Sequence, residues 1–262
     1  MWDLENKGAG DMSGTAGITA AMIVVGDEIL SGRTQDVNIH FLAQELTKLG
    51  IPLREVRVIP DVADEIVAAV NLLRAKYTYV FTTGGIGPTH DDITSANVAK
   101  AFGLEIHRHP DAVKLLEAHY PPGQLTEARL KMTEVPVGAT LIENPISKAP
   151  GFRIGNVHVM AGVPKIAQAM FDAIRPTLQG GPTIHSRTVS CSLGEGVIAA
   201  RLGAIQEAFP DTSIGSYPYF NGGGGGSGTA LVTRGTDLSR IEAAASAIRA
   251  MIVDLGGVAG DV

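Results

Sequence analysis

Tyr77-Thr-Tyr-Val-Phe-Thr-Thr-Gly-Gly-Ile-Gly-Pro-Thr-His-Asp-Asp92 is the stretch that decides how this chain folds. Tyr77 to Thr83 is a β-branched and aromatic run that predicts a buried strand, and Gly84-Gly85-Ile86-Gly87-Pro88 ends it abruptly. Glycine lets the backbone adopt φ > 0 and approach a ligand with no Cβ in the way. A helical pattern follows from about Asp91 to Phe102, so the glycine amides are expected near a helix N-terminus, a ready site for an anion. Two carboxylates, Asp91 and Asp92, stand at the same place and would repel a bare phosphate. A divalent cation bridging acid and phosphate reconciles them; so does a helix cap, because Thr89-x-x-Asp92 also matches a capping box.

Outward from that stretch the pattern alternates strand and helix. Thr19–Val25 is an unbroken apolar run, as in a parallel sheet covered on both faces. A loop over Gly26–Thr34, a helix from about Val37 to Leu49, a strand Leu53–Ile59 and a helix Ala63–Lys76 lead into the central strand. This order predicts right-handed βαβ units and an α/β, doubly wound, mostly parallel sheet. Residues 104–135 break the rhythm with two short helices around Pro121-Pro122-Gly123. Short strands near 139–142, 152–154 and 157–160 and a helix from about Lys165 to Leu178 follow. Gln179-Gly180-Gly181-Pro182 reads as a linker, dividing a domain at 19–180 from a small α+β domain at 181–262 of order βαββα. Asn221–Gly228 reads as a hairpin loop, since its five consecutive glycines lack a following helix with the Lys or Ser/Thr of a phosphate-binding P-loop. Residues 1–18 are expected to be a disordered leader, with Met12 an alternative start.

In open α/β sheets ligands bind beyond the carboxyl ends of the strands. Gly26-Asp27-Glu28, Pro60-Asp61, the glycine loop and Ala161-Gly162-Val163-Pro164 all leave such ends, and three of the four carry acids. Asp27, Asp61, Asp91 and Asp92 are therefore expected to converge and hold a hard cation, most simply Mg²⁺, with Asp27 and Asp91 the candidates for chemistry. Asp61, just before a helix, is equally a good N-cap. Gly26, Glu28, Ser31, Asn38, Thr83, Gly84, Gly85, Gly87, Pro88, Thr89, Lys148 and Pro164 are the candidate ligand contacts. The histidines at 107, 109 and 119 lack metal-ligand spacing.

The segment Gly84-Gly85-Ile86-Gly87-Pro88-Thr89-x-Asp91-Asp92 resembles the signature of MoaB/Mog-type molybdopterin-binding domains, and more narrowly the N-terminal domain of the CinA group and its stand-alone relatives. Gly26-Asp27-Glu28-Ile29-Leu30-Ser31-Gly32, Asn144 to Gly151 and Ala161 to Pro164 agree with that group and stand in its order. Ser147 and Lys148 depart from the commoner Gly-Thr form, and Ala161 stands where proline is usual. The resemblance implies a phosphorylated pterin or nucleotide as ligand with a divalent cation, molybdopterin being one candidate, and a place in molybdenum cofactor metabolism. It equally implies the pyrophosphatase activity toward ADP-ribose or FAD credited to related CinA and FAD synthase domains; a regulatory or scaffold role is a third reading. It further implies that 104–135 lies over the ligand face and that the protein is a homo-oligomer, dimer or trimer. Residues 181–262 are too few for the C-terminal deamidase domain of full-length CinA.

Composition sets the remaining bounds. A net charge of −6 and a pI near 5.6 argue against a nucleic-acid partner. One cysteine, Cys191, in an alternating run is expected to be a small buried hydrophobe and excludes an internal disulfide. No long apolar stretch predicts a membrane span and no apolar leader resembles a signal peptide, so a cytoplasmic location is expected.

Overall fold

The computed structural model describes residues 17–220 and 227–261. The expected leader over 1–16 and the tip of the expected hairpin loop over 221–226 lie outside the described residues. The chain forms two compact units that meet between Gly181 and Pro182.

In the first unit the elements run β1 (Ala20–Val25), α1 (Asp27–Leu30), α2 (Asn38–Lys48), β2 (Leu53–Ile59), α3 (Ala63–Lys76), β3 (Tyr79–Thr83), α4 (Thr94–Phe102), β4 (Ile106–Arg108), α5 (Pro110–His119), α6 (Glu127–Leu130), β5 (Glu134–Pro136), β6 (Thr140–Ile142), β7 (Gly151–Ile154), β8 (Val157–Met160) and α7 (Pro164–Ile174). The main sheet has the order β2-β1-β3-β8-β7-β6. Its β2, β1, β3 and β8 are parallel, and β7 and β6 continue it antiparallel. The expected doubly wound, mainly parallel architecture is what forms.

β1 shows why both faces are covered. Ala21, Ile23 and Val25 join Ile66, Val70 and Leu73 of α3 and Val98 of α4 in one core. Ala20, Met22 and Val24 point the other way, into a second core with Leu42 and Leu46 of α2 and Phe171 and Ile174 of α7. A strand buried on both faces cannot alternate apolar with polar, hence the unbroken apolar run. Each fully buried leucine or isoleucine contributes roughly 1.5–3 kcal/mol, so the sheet is a firm base for the loops at its ends.

His158 of β8 sits inside the second face, 3% exposed, its ring stacked on Phe81 at 5.1 Å. Burial, reinforced by the nearby charge of Arg153, pushes it down to about 4. The folded state therefore binds fewer protons than the unfolded chain between about pH 4 and 6.5. Stability should be complete above pH 6.5 and fall by about 3 kcal/mol as the pH drops to 4. Urea unfolding from pH 7 to 4.5 checks this. His158→Phe, which keeps the stacked ring, should flatten that acid limb.

The second unit contains β9 (His185–Cys191), α8 (Glu195–Ala208), β10 (Ser213–Phe220), β11 (Ser227–Gly235), α9 (Leu238–Asp254) and β12 (Ala259–Asp261). The expected βαββα order gains a last short strand, β12, and the antiparallel sheet has the order β10-β11-β9-β12, a ferredoxin-like βαββαβ arrangement. Cys191 is buried in its core with Val189, Leu231, Ile248 and Ile252. No helix among the described residues is long and apolar enough to cross a membrane.

Two expectations need correction here. The stretch Gly26–Thr34 is not all loop, because α1 starts at Asp27 directly beyond β1. Residues 104–135 also carry an antiparallel ribbon, β4 with β5, too short to show a periodicity of its own.

Candidate functional site

The exits of β1 and β2 are sewn together by backbone donors. Gly26 N–H donates to the Ile59 carbonyl at 3.1 Å, and Asp27 N–H donates to the Asp61 carboxylate at 3.0 Å. Asp61 therefore does not cap α3: Val62 holds the N-cap position and makes no side-chain cap bond. The Glu28 carboxylate folds back over Gly26, where a Cβ would meet its Oε2 at 2.5 Å. Partial burial pushes the Asp61 carboxyl above the usual carboxylate range, and the negative charges of Asp27, Glu28 and Asp91 push it further, against the Asp27 amide. Acids from two neighbouring strand exits thus act on Asp61 at one end of the sheet.

The glycine loop closes the other side. Gly84 has φ +100, and a Cβ there would lie 2.1 Å from the Val25 carbonyl oxygen. Gly85 has φ +68 and lies under Thr94, whose amide donates to its carbonyl at 2.9 Å. Thr89 donates both its amide, at 2.8 Å, and its hydroxyl to Asp92 Oδ2. The capping-box reading holds only in half: Asp92 accepts from the Thr89 amide as a box requires, but no helix starts there, and α4 begins at Thr94 instead of Asp91. Asp91 is left exposed. The Thr89 hydroxyl, its own amide, the adjacent His90 and Lys131 hold its carboxyl below the ordinary range.

The fourth exit meets the glycine loop from β8. A Cβ on Gly162 would stand 3.3 Å from the Gly84 Cα, and the buried Asn38 donates its Nδ2 to the Gly162 carbonyl at 2.8 Å. Asn38 Oδ1, Thr83 Oγ1 and Thr94 Oγ1 are buried without a protein partner. Buried polar atoms normally find one, so three unanswered atoms close to one loop suit a polar ligand or ordered water. Pro164 is exposed at the first turn of α7, and Pro88 is exposed on the loop. Ser31 instead closes α1, donating its hydroxyl to the Glu28 carbonyl at 3.3 Å.

Lys148 lies in the turn between β6 and β7, which the register places at the same end of the sheet. Asn144 builds that turn, accepting from the Ile146 and Ser147 amides at 3.1 and 3.2 Å. Lys148 adopts φ 61 there, a left-handed conformation that costs a lysine about 1 kcal/mol.

Sequence reading missed Lys131. It comes from the segment between α6 and β5 and donates its Nζ to the Thr89 carbonyl, 42 residues away in the chain. With Ile86, Gly87, Asp92, Ser95 and Glu134 it lines a narrow cleft behind the loop. A lysine so distant in sequence carries no motif signal.

Among the described residues no three His, Cys, Asp or Glu side chains are grouped so as to hold a metal by themselves. The four-aspartate cage expected from the sequence is therefore not assembled, and Asp92 is occupied by Thr89. Mg²⁺ does not need such a cage, since it is commonly held by one or two carboxylates plus substrate phosphates and water. Asp27, Asp61 and Asp91 fit that donor set: all are oxygen donors, and the negative charge that Asp27 and Asp91 place on Asp61 is what a cation would relieve.

A mainly parallel sheet with acids and a glycine loop beyond its strand ends places the first unit in the α/β class. A family model described as a probable molybdopterin binding domain matches residues 21–180, and the chain belongs to that family. A second model, described as the FAD synthase middle domain, matches residues 183–256. A protein of Pyrobaculum calidifontis is 36% identical over 211 residues, spanning 76% of this chain and 80% of its own. A probable FAD synthase of Caenorhabditis briggsae is 31% identical over 76% of this chain, which spans only 43% of that relative. Among solved structures, the CinA protein of Thermoplasma acidophilum superposes with a TM-score of 0.58 at 36% identity, over 62% of this chain and 98% of that one.

Proposed function

We propose that the first unit binds a phosphorylated nucleotide or pterin together with a divalent cation, Mg²⁺ in the simplest case. One observation carries this reading: the half-buried Asp61, bonded to the Asp27 amide, feels the negative charges of Asp27, Glu28 and Asp91 from the neighbouring strand exits, beside a glycine loop bordered by unanswered buried hydroxyls. Such repulsion is unfavourable for folding alone and would be relieved by a cation, which in turn would draw in an anionic ligand. When bound, the cation would neutralise the acids and polarise a phosphorus-bound oxygen. The chain's own groups divide the rest. The loop amides not already bonded within the protein, those of Gly85 to Gly87, would face the anion, and the Asn38, Thr83 and Thr94 oxygens would orient polar groups.

A second reading, hydrolysis of a dinucleotide pyrophosphate such as ADP-ribose or FAD, is favoured by the adjoining FAD synthase middle-domain match and by the probable FAD synthase relatives. Here the two aspartates would differ in role. Asp61, whose carboxyl is pushed up, is the better proton acceptor, whereas Asp91, held down, stays ionised and suits cation binding.

The test is calorimetric titration with ADP-ribose and FAD, with Mg²⁺ and with EDTA, and an assay for AMP release under the same conditions. Binding that requires the cation, with or without turnover, is the expected result. No binding of either ligand in any condition would overturn the nucleotide reading. AMP release that persists in EDTA would refute the role given to the cation.

A further inference from the structure

We infer that Lys131 is the counter-charge of this site: it binds the phosphate of the anionic ligand and sets the balance between cation and anion affinity. The inference rests on the binding reading above and adds a residue to it. Lys131 reaches the glycine loop from outside the four strand exits, and its Nζ donates to the Thr89 carbonyl. An ammonium has three N–H donors, so this contact leaves two of them unspent. The two acids lining its cleft are engaged elsewhere. Asp92 accepts from Thr89, and Glu134 lies 3.7 Å from Arg108 in an ion pair. No ion pair to Lys131 forms among the described residues, although it stands at a concentration of negative charge. A cation in that position opposes Mg²⁺ bound alone and attracts phosphate. The Thr89 contact keeps the ammonium at the loop whose amides would face the anion.

A merely structural lysine, one that only pins the Thr89 turn, predicts something different. Loosening the turn would weaken the cation and the anion together. Removing a counter-charge moves them in opposite directions. Lys131→Met keeps most of the aliphatic stem and deletes the charge; Lys131→Arg keeps the charge.

The experiment titrates the full chain with Mg²⁺ alone, and with ADP-ribose at saturating Mg²⁺, for wild type, Lys131→Met and Lys131→Arg, with melting temperatures recorded for each. Lys131→Met should bind Mg²⁺ alone about threefold more tightly. It should bind ADP-ribose about tenfold or more weakly, as expected for a lost charge-assisted hydrogen bond. Lys131→Arg should stay within about threefold of wild type in both. If Lys131→Met weakens both ligands, or changes neither, the inference is overturned while the binding reading stands. If wild type itself fails to bind ADP-ribose, the binding reading fails and the inference falls with it.

Discussion

Gly84→Ala should cost about 3 kcal/mol or more and abolish ligand binding in whatever folded protein remains. Two independent penalties add. At φ +100 an L-residue is strained wherever it stands. The new methyl would also meet Val25 O at 2.1 Å and Val25 C at 3.2 Å, both backbone atoms of an interior strand of the sheet. Val25 cannot retreat, since it is 2% exposed and its strand is paired to β2 on one side and β3 on the other. Nor is the glycine loop free to move away. Gly84 N–H is held by the Met160 carbonyl at 3.3 Å, and Gly162 of the next exit lies against the Gly84 Cα. Gly32→Ala is the internal control. It also has a positive φ, +71, but nothing lies within 4 Å of the added carbon, so only the conformational cost of about 1 kcal/mol applies. Urea midpoints of the two variants decide the matter. Equal losses would mean that the contact with Val25 relaxes freely.

The long elements of both units were legible from apolar periodicity. β2 and α3 form over Leu53–Ile59 and Ala63–Lys76, the bounds their patterns predict. Legibility failed where one pattern serves two geometries. Thr89-x-x-Asp92 reads as a capping box, in which Thr89 would accept from the amide three residues on. In the structure only the return bond forms, the Thr89 amide donating to the Asp92 carboxylate; the Thr89 hydroxyl donates to the same oxygen instead of accepting from the Asp92 amide, and the helix starts later. Asp61 before α3 is likewise a cap by local sequence, but the Asp27 amide from another strand exit claims its oxygen. Three-residue strands such as β4, β5 and β12 are too short to carry a period and form because a neighbouring strand offers partners. In the site, the acids and glycines follow from their places after strand ends. Lys131 does not, since only the fold of the 104–135 segment brings it to Thr89.

Asp61→Asn should raise the stability of the ligand-free protein at neutral pH while reducing cation-dependent nucleotide binding about a hundredfold. The sign follows from linkage. A carboxyl held above its ordinary range in the folded state is more readily protonated there than in the unfolded chain. Its charge therefore costs stability, a cost that grows as pH rises through that interval and is fully present at pH 7. Asparagine keeps an oxygen to accept the Asp27 amide and removes the charge that Asp27, Glu28 and Asp91 repel. Mg²⁺ should accordingly raise the melting temperature of the wild type and leave that of Asp61→Asn nearly unchanged. Asp91→Asn should separate from it. Its carboxyl is held below the ordinary range, so its charge favours folding and the variant should gain no stability, yet cation-dependent binding should fall as far. Melting curves of the three proteins, with and without Mg²⁺, read both effects at once. An Asp61→Asn protein that is no more stable than wild type and still binds ADP-ribose with Mg²⁺ would remove Asp61 from the site. An Asp61 charge that lowers stability and is nonetheless needed for binding would mark this end of the sheet as built for its ligand.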